Sequence, residues 1–163
     1  MYYCYLKTPI GDLLLAGDEQ ALCLLGFPEG SMRREPEPDW IYSEKPFADV
    51  REQLKAYFAG DRKSFDLKLN PGGTEFQLQV LDELQKIPYG TTTSYGDIAK
   101  RIGRPKAVRA VGAANGRNPI PIIIPCHRVI GSSGNMTGFG GGIPTKEALI
   151  RLELEHSQFQ QSA

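Results

Sequence analysis

The sequence predicts an α+β protein: a small N-terminal sheet-plus-helix domain over residues 1–73, followed by a mostly helical C-terminal domain over 74–163 that carries a helix-turn-helix. Three observations predict it. Short apolar runs between residues 13 and 25 are separated by turn residues, as a β-hairpin requires. Downstream of residue 74, stretches with helical spacing follow recognisable start signals. Between these regions Asn70-Pro71-Gly72-Gly73 interrupts any regular element, because proline and glycine together break both periods, and it marks the linker.

In order along the chain, Tyr2-Tyr3-Cys4-Tyr5 leads to a turn at Pro9-Ile10-Gly11. Leu13-Leu14-Leu15-Ala16 and Ala21-Leu22-Cys23-Leu24-Leu25 then flank Gly17-Asp18-Glu19-Gln20 as a hairpin. After a loop rich in Pro and Glu over 28–39, Ser43 is placed to cap a helix whose Phe47, Val50, Leu54, Tyr57 and Phe58 recur at helical spacing up to Gly60. Phe65, Leu67 and Leu69 alternate as a strand. Nothing in this half assembles into chemistry, so its expected job is support.

The second half opens with Thr74 three residues before Gln77, a capping-box spacing, ahead of Phe76, Val80, Leu84 and Ile87 on one helical face. Pro88-Tyr89-Gly90 ends that helix. Ser94 with Asp97 repeats the capping pattern before Ile98, Ala99 and Ile102, closed by Gly103. Pro105 then starts a helix over Lys106 to Ala114, closed by Asn115-Gly116. Two short helices joined by a glycine-containing turn read as a helix-turn-helix. On the second of them Ala107, Ala110, Val111 and Ala114 share one face, with Arg109, Gly112 and Ala113 on the other. A face with one long side chain among small ones allows close approach of a groove, unlike a major-groove reader with several long polar side chains.

Charge sorts the partners. The chain has 19 basic and 19 acidic residues, yet residues 1–75 carry 9 against 13 and residues 76–163 carry 10 against 6. Between 94 and 128 seven basic residues face one acidic residue, Asp97, so a polyanion is expected on that side. No long apolar span or signal peptide is visible, and three cysteines are too few for a secreted disulfide scaffold. A reduced, cytoplasmic protein is expected, with no membrane partner. Cys4 and Cys23 have no His within residues 1–75 to complete a zinc site, and no metal is assigned.

The chemistry concentrates in Asn118-Pro119-Ile120-Pro121-Ile122-Ile123-Ile124-Pro125-Cys126-His127-Arg128-Val129. A cysteine behind an Ile-rich run is often only a small buried hydrophobe. Here, however, three prolines in seven positions forbid a helix or central strand and impose an irregular connection. Such backbone needs side-chain support, which Asn118 can give. A thiol also needs a base or a positive charge to become a nucleophile, and His127 and Arg128 stand beside it.

Pro125-Cys126-His127-Arg128-Val129, preceded by Asn118-Pro119-Ile120-Pro121, resembles the active-site signature of the O6-alkylguanine-DNA alkyltransferases, the methylated-DNA-protein-cysteine methyltransferases. The similarity runs from Thr8-Pro9-Ile10-Gly11 to Glu153. The resemblance implies direct-reversal DNA repair. The second helix of the helix-turn-helix enters the minor groove, Arg109 fills the space of an extruded base, and Gly112 and Ala113 meet the duplex. The alkyl group of O6-alkylguanine moves irreversibly to Cys126, one event per molecule, with O4-alkylthymine left open as a slower substrate. His127 is the base, acting through a water or a helical turn, Glu153 orients His127, and Asn118 pins the turns. Tyr95, Val129 and Gly140 contact the substrate, with Tyr95 donating to the guanine ring and amides near Gly140 reaching the base oxygen. Phe139 stands where some members have Tyr. The glycine-rich stretches 131–134 and 137–142 read as a lid over the pocket rather than a phosphate cradle, since no Lys-Ser/Thr pair follows them.

No cofactor is implied, because the thiolate is itself the acceptor. The expected partner is double-stranded DNA containing O6-alkylguanine. A monomer is expected, with cooperativity on DNA left open, and nucleoid association if the source is prokaryotic. Two other classes compete: a helix-turn-helix regulator sensing through Cys126, and a Cys-His hydrolase. The helix carrying one Arg among small residues argues against the first, and the His adjacent to the Cys argues against the second.

Overall fold

The computed structural model describes residues 1–131 and 139–161, with side chains described up to Ser157. Its first half is a four-stranded sheet of order β3-β2-β1-β4, with β1 Tyr2–Thr8, β2 Gly11–Gly17, β3 Leu22–Gly26 and β4 Ile41–Tyr42. β1 and β2 pair antiparallel from Tyr2 opposite Gly17 to Thr8 opposite Gly11, so only Pro9 and Ile10 form the turn. The Thr8 hydroxyl donates to the Gly11 carbonyl at 2.7 Å and accepts from the Ile10 amide at 3.2 Å, which closes that turn. The expected hairpin is present as β2 and β3, and the Asp18 carboxylate accepts from the amides of Gln20 and Ala21 at its turn. Strand β1, which the sequence had not announced, follows the pleat: Cys4 and Leu6 point into the core while Tyr3 and Tyr5 point away.

Two expectations are corrected here. Ser43 does not cap the first helix. A 3-10 turn at Lys45–Phe47 precedes α1 (Ala48–Phe58), and the residue capping that turn is Glu44, without a side-chain hydrogen bond. Pro46 inside that turn explains the shift, because it needs no amide partner there. Residues 65–69 do not form a strand either, but touch β3 through one bridge between Leu22 and Leu69. The rest of the β3 edge is already occupied: the Leu25 amide donates to the Pro119 carbonyl at 2.8 Å. That bond joins the N-terminal sheet to the segment leading to Cys126.

The second half has α2 (Glu75–Leu84), α3 (Tyr95–Arg101), α4 (Val108–Gly116) and α5 (Ile143–Gln161). Thr74 forms the full capping box with Gln77. The Ser94 hydroxyl accepts from the Asp97 amide at 3.1 Å, while the Asp97 carboxylate accepts from Thr93. Helix α4 begins at Val108, later than expected, because Pro105 and Lys106 lie in the turn after Gly103, whose φ is 78°. A short parallel ladder, β5 (Thr93–Ser94) with β6 (Val129–Ile130), was not foreseen. It ties the start of α3 to the exit of the cysteine segment. On α5, Leu149 and Glu153 are buried, while Leu154 is 46% exposed.

Candidate active site

The proline-rich segment reaches the core by unusual backbone. Ile122 has φ of 72°, a left-handed conformation that costs a β-branched residue energy and persists only where surroundings over-determine it. The surroundings are visible. The Asn118 amide group donates to the Ile124 carbonyl at 2.8 Å, and its oxygen accepts from the Ile120 amide at 3.0 Å. Asn115, buried on α4, donates to the Cys126 carbonyl at 3.4 Å. The segment ends in a 3-10 turn, Cys126–Arg128, so Cys126 and His127 are carried on a helical turn rather than on extended chain.

Cys126 and His127 are buried, and Glu153 from α5 completes the cluster. His127 Nε2 lies 2.5 Å from Glu153 Oε2. The same carboxylate accepts from Arg128 Nε at 2.7 Å and Nη2 at 3.1 Å, from the Gly90 amide at 3.1 Å and from the Tyr57 hydroxyl at 2.6 Å. Arg128 also donates to the Ile87 carbonyl at 2.7 Å. The donors around Glu153 thus come from three places, Tyr57 on α1, the Gly90 amide after α2, and His127 with Arg128 on the 3-10 turn, which fixes the carboxylate in one orientation. His127 Nδ1 has no hydrogen-bond partner among the described residues.

Burial pushes the Cys126 thiol up to about 11, against the Asn118 hydrogen bond and the Lys146 charge. Burial pushes His127 down, with the Arg128 and Lys146 charges adding and Glu153 opposing. Burial alone would raise Glu153, but hydrogen bonds and charge from His127 and Arg128 prevail and hold it down to about 2. At neutral pH the cluster is therefore a thiol, a neutral imidazole and a carboxylate paired with a guanidinium. Such an imidazole can accept a proton from the thiol.

Cys126 opens on a cavity that is lined by Asn115, Asn118, Phe139 and Gly140 and also by Leu24, Phe27, Met32 and Arg34 from the first half. The Met32 amide donates to the Gly140 carbonyl at 3.1 Å, and the Phe27 and Phe139 rings are 5.5 Å apart. The N-terminal half is thus part of the site as well as its support, through Tyr57 and through this cavity wall. Neither was signalled by sequence spacing, because both pair residues about 100 positions apart in the chain. Lys146, fully buried and electrostatically coupled to Cys126, was also missed, because a lysine near the start of α5 carries no local sign of what it faces.

Of the remaining expected residues, Gly140 lines the cavity, while Val129 is buried in the β5–β6 ladder. Tyr95 is not among the cavity's lining residues. It stands half-buried at the start of α3, where a Cβ on Gly112 would be 3.9 Å from its ring. Arg109 and Ala113 are exposed on α4 and Gly112 is half-buried, while Val111, Ala114 and Asn115 face inward. Ala110, expected on the same face as Val111 and Ala114, is exposed where they are buried. Of the glycine-rich lid, residues 132–138 lie outside the described residues.

A buried cysteine on the same turn as the histidine of a buried His-Glu pair, beside a helix-turn-helix, defines a class in which a thiol is carried on a DNA-binding scaffold. Residues 75–155 match the family model described as 6-O-methylguanine DNA methyltransferase, DNA binding domain, and residues 1–71 match its ribonuclease-like domain. A methylated-DNA-protein-cysteine methyltransferase of Methanosarcina acetivorans is 54% identical over 153 residues, covering 94% of this chain and 98% of that protein. Its counterpart in Mycolicibacterium paratuberculosis is 50% identical over 156 residues, covering 95% and 93%. The crystal structure of Mycobacterium tuberculosis OGT in complex with DNA superposes with a TM-score of 0.90 at 48% identity, covering 96% of this chain and 94% of that one. The chain belongs to the methylated-DNA-protein-cysteine methyltransferase family, enzymes of DNA repair by alkyl transfer.

Proposed function

We propose that this protein repairs O6-alkylguanine in double-stranded DNA by moving the alkyl group onto Sγ of Cys126, once per molecule. The observation that carries the reading is the relay: His127 Nε2 is committed to Glu153, while Nδ1 remains the open atom of a neutral, buried imidazole. In this reading His127 Nδ1 takes the thiol proton through a bridging water, and Glu153 stabilises the imidazolium. The sulfur attacks the alkyl carbon, the S–C bond forms as the C–O6 bond breaks, and the electron pair returns to the base. Tyr95 donates a proton to the guanine ring, so that guanine leaves neutral and Cys126 becomes a thioether; the proton held on His127 then returns through solvent to the Tyr95 phenolate, and both side chains end neutral. A thioether has no proton to lose, which limits each molecule to one event. O4-alkylthymine presents the same alkyl-oxygen chemistry, and whether it is a second substrate is read by the same intact-mass assay that tests O6-methylguanine.

The reacting carbon lies within the base stack, so the nucleotide must leave the duplex, at a cost that is smallest for a damaged base. Helix α4 is the element for that step: Arg109 projects from a face otherwise made of Gly112 and Ala113, and it fills the vacated space. Residues 1–73 and 74–163 act as two domains in this account, the second holding DNA and acceptor together and the first closing the cavity with Phe27 and Met32. Repair then takes place in the cytoplasm, on nucleoid DNA if the source is a prokaryote.

The test is a duplex carrying one O6-methylguanine, followed by intact mass and peptide mapping. The expected result is a single methyl on Cys126 and none on Cys126→Ser; a duplex that binds while Cys126 stays unmodified overturns the reading. For base extrusion, Arg109→Ala is expected to slow transfer from duplex by about one to two orders of magnitude, and transfer from single-stranded DNA by no more than about twofold. Equal slowing on both substrates would remove Arg109 from that step.

A further inference from the structure

We propose that Tyr57, on α1 of the N-terminal half, is a positioning residue for alkyl transfer: its hydroxyl holds the Glu153 carboxylate and sets how strongly that carboxylate supports His127. This rests on the relay of the proposed function. Tyr57 is fully buried, and its hydroxyl donates at 2.6 Å to Oε2, the oxygen that faces His127 Nε2. The ring is clamped by Phe58, Phe65 and Tyr89, with centroids 5.3, 5.5 and 6.3 Å away. Burial and the Glu153 charge push its phenol well above its ordinary range, so Tyr57 remains a donor throughout the working pH range.

The consequence is competition for one oxygen. Each hydrogen bond that Oε2 accepts spreads its charge and weakens its hold on the His127 proton. The other groups facing the pair are Arg128 from the cysteine turn, Tyr89 after α2, Lys146 on α5 and Cys126 itself. Arg128 Nη2 also donates to Oε2, at 3.1 Å, but from the turn that carries His127 itself; among the described residues Tyr57 alone reaches Glu153 from the N-terminal half. Loss of the hydroxyl has two opposed effects. The carboxylate loses a restraint made by a charge-assisted hydrogen bond, which costs roughly tenfold in rate. His127 meanwhile becomes more basic, which recovers about twofold. Positioning wins, so the net loss is about fivefold, while the acid limb of the rate profile moves up by about half a unit.

The experiment compares wild type, Tyr57→Phe and Leu54→Val, a buried packing change on the same helix, in single-turnover methyl transfer from duplex O6-methylguanine between pH 5 and 9. Nuclear magnetic resonance titration of the His127 imidazole reads the same shift without substrate. Tyr57→Phe is expected to lower the plateau about fivefold and to raise both the acid limb and the His127 titration by about half a unit; Leu54→Val should lower stability and move neither. Site-specific replacement of Tyr57 by 3-fluorotyrosine keeps shape and hydroxyl, donates more strongly, and is expected to shift the titration the opposite way. An unchanged profile in Tyr57→Phe, a shift equal to that of Leu54→Val, or a 3-fluorotyrosine shift of the wrong sign overturns the inference. Wild type that never methylates Cys126 overturns the proposed function instead, and the His127 titration still decides whether Tyr57 governs the pair.

Discussion

Asn118 shows how one side chain can serve fold and chemistry together. It satisfies the Ile120 amide and the Ile124 carbonyl inside a segment that forms no regular element, and its amide works against burial to lower the Cys126 thiol. Asn118→Ala leaves the buried Ile120 amide without a partner and strips one of two donors from the Ile124 carbonyl, which keeps the Cys126 amide at 2.8 Å. The expected cost is about 1–3 kcal/mol of stability in urea unfolding, together with slower alkylation of Cys126 measured by intact mass. Unchanged stability would mean that the left-handed Ile122 is held by packing alone. Asn118, Cys126 and His127 were legible in the sequence because three prolines forced irregular backbone and placed a thiol beside a base. Tyr57, Met32 and Lys146 were not legible, since an aromatic, a thioether and a lysine on amphipathic or loop stretches carry no local sign of what they face.

At the scale of elements, helix α4 combines poor intrinsic helix propensity with an exposed face of small residues. Gly112 has a helical backbone, and a Cβ there would make an ordinary contact 3.9 Å from Tyr95. Gly112→Ala is therefore expected to raise stability by about 0.5–1 kcal/mol, from the lower entropy cost of fixing Ala. If α4 meets the groove as proposed, the added methyl also weakens duplex binding, read by fluorescence anisotropy; gains in both stability and affinity would place the groove elsewhere. Helix α2 offers a plainer case. Thr74→Ala removes the hydroxyl half of a complete capping box and should cost about 1 kcal/mol in thermal unfolding, without altering the site. Both helices were readable from start signals and spacing. The strand expected at 65–69 was not formed because alternation records burial, whereas pairing needs a free edge, and the β3 edge was shared with Pro119.

For the whole molecule, the Glu153 and His127 cluster welds the two halves together and makes stability depend on pH. Glu153 lies below its ordinary value of 4.5 when folded, so the unfolded chain binds its proton first as pH falls. Its contribution, on the order of 3 kcal/mol, is present above pH 4.5 and is lost as pH drops towards 2. His127 is also depressed, from 6.5, so its share is present above that value and begins to fade as pH falls below it. Both losses have the same sign. The urea midpoint is expected to decline below about pH 6.5 and more steeply below 4.5, and Glu153→Gln should flatten the lower part. A midpoint constant from pH 7 to 4 would contradict the buried pair.

The sequence by itself determined the α+β class, the hairpin, the helix starts, the basic side of the second half and the neighbourhood of Cys126, because each is written in spacing, capping and proline placement within a few residues. Only the tertiary structure decided which groups surround Glu153, that Tyr57 and Met32 of the first half belong to the site, and where the β3 edge is spent. These meetings join residues 25 positions apart, for Arg128 and Glu153, and 96 apart, for Tyr57 and Glu153, set by packing two halves around one buried turn, and no local pattern encodes them.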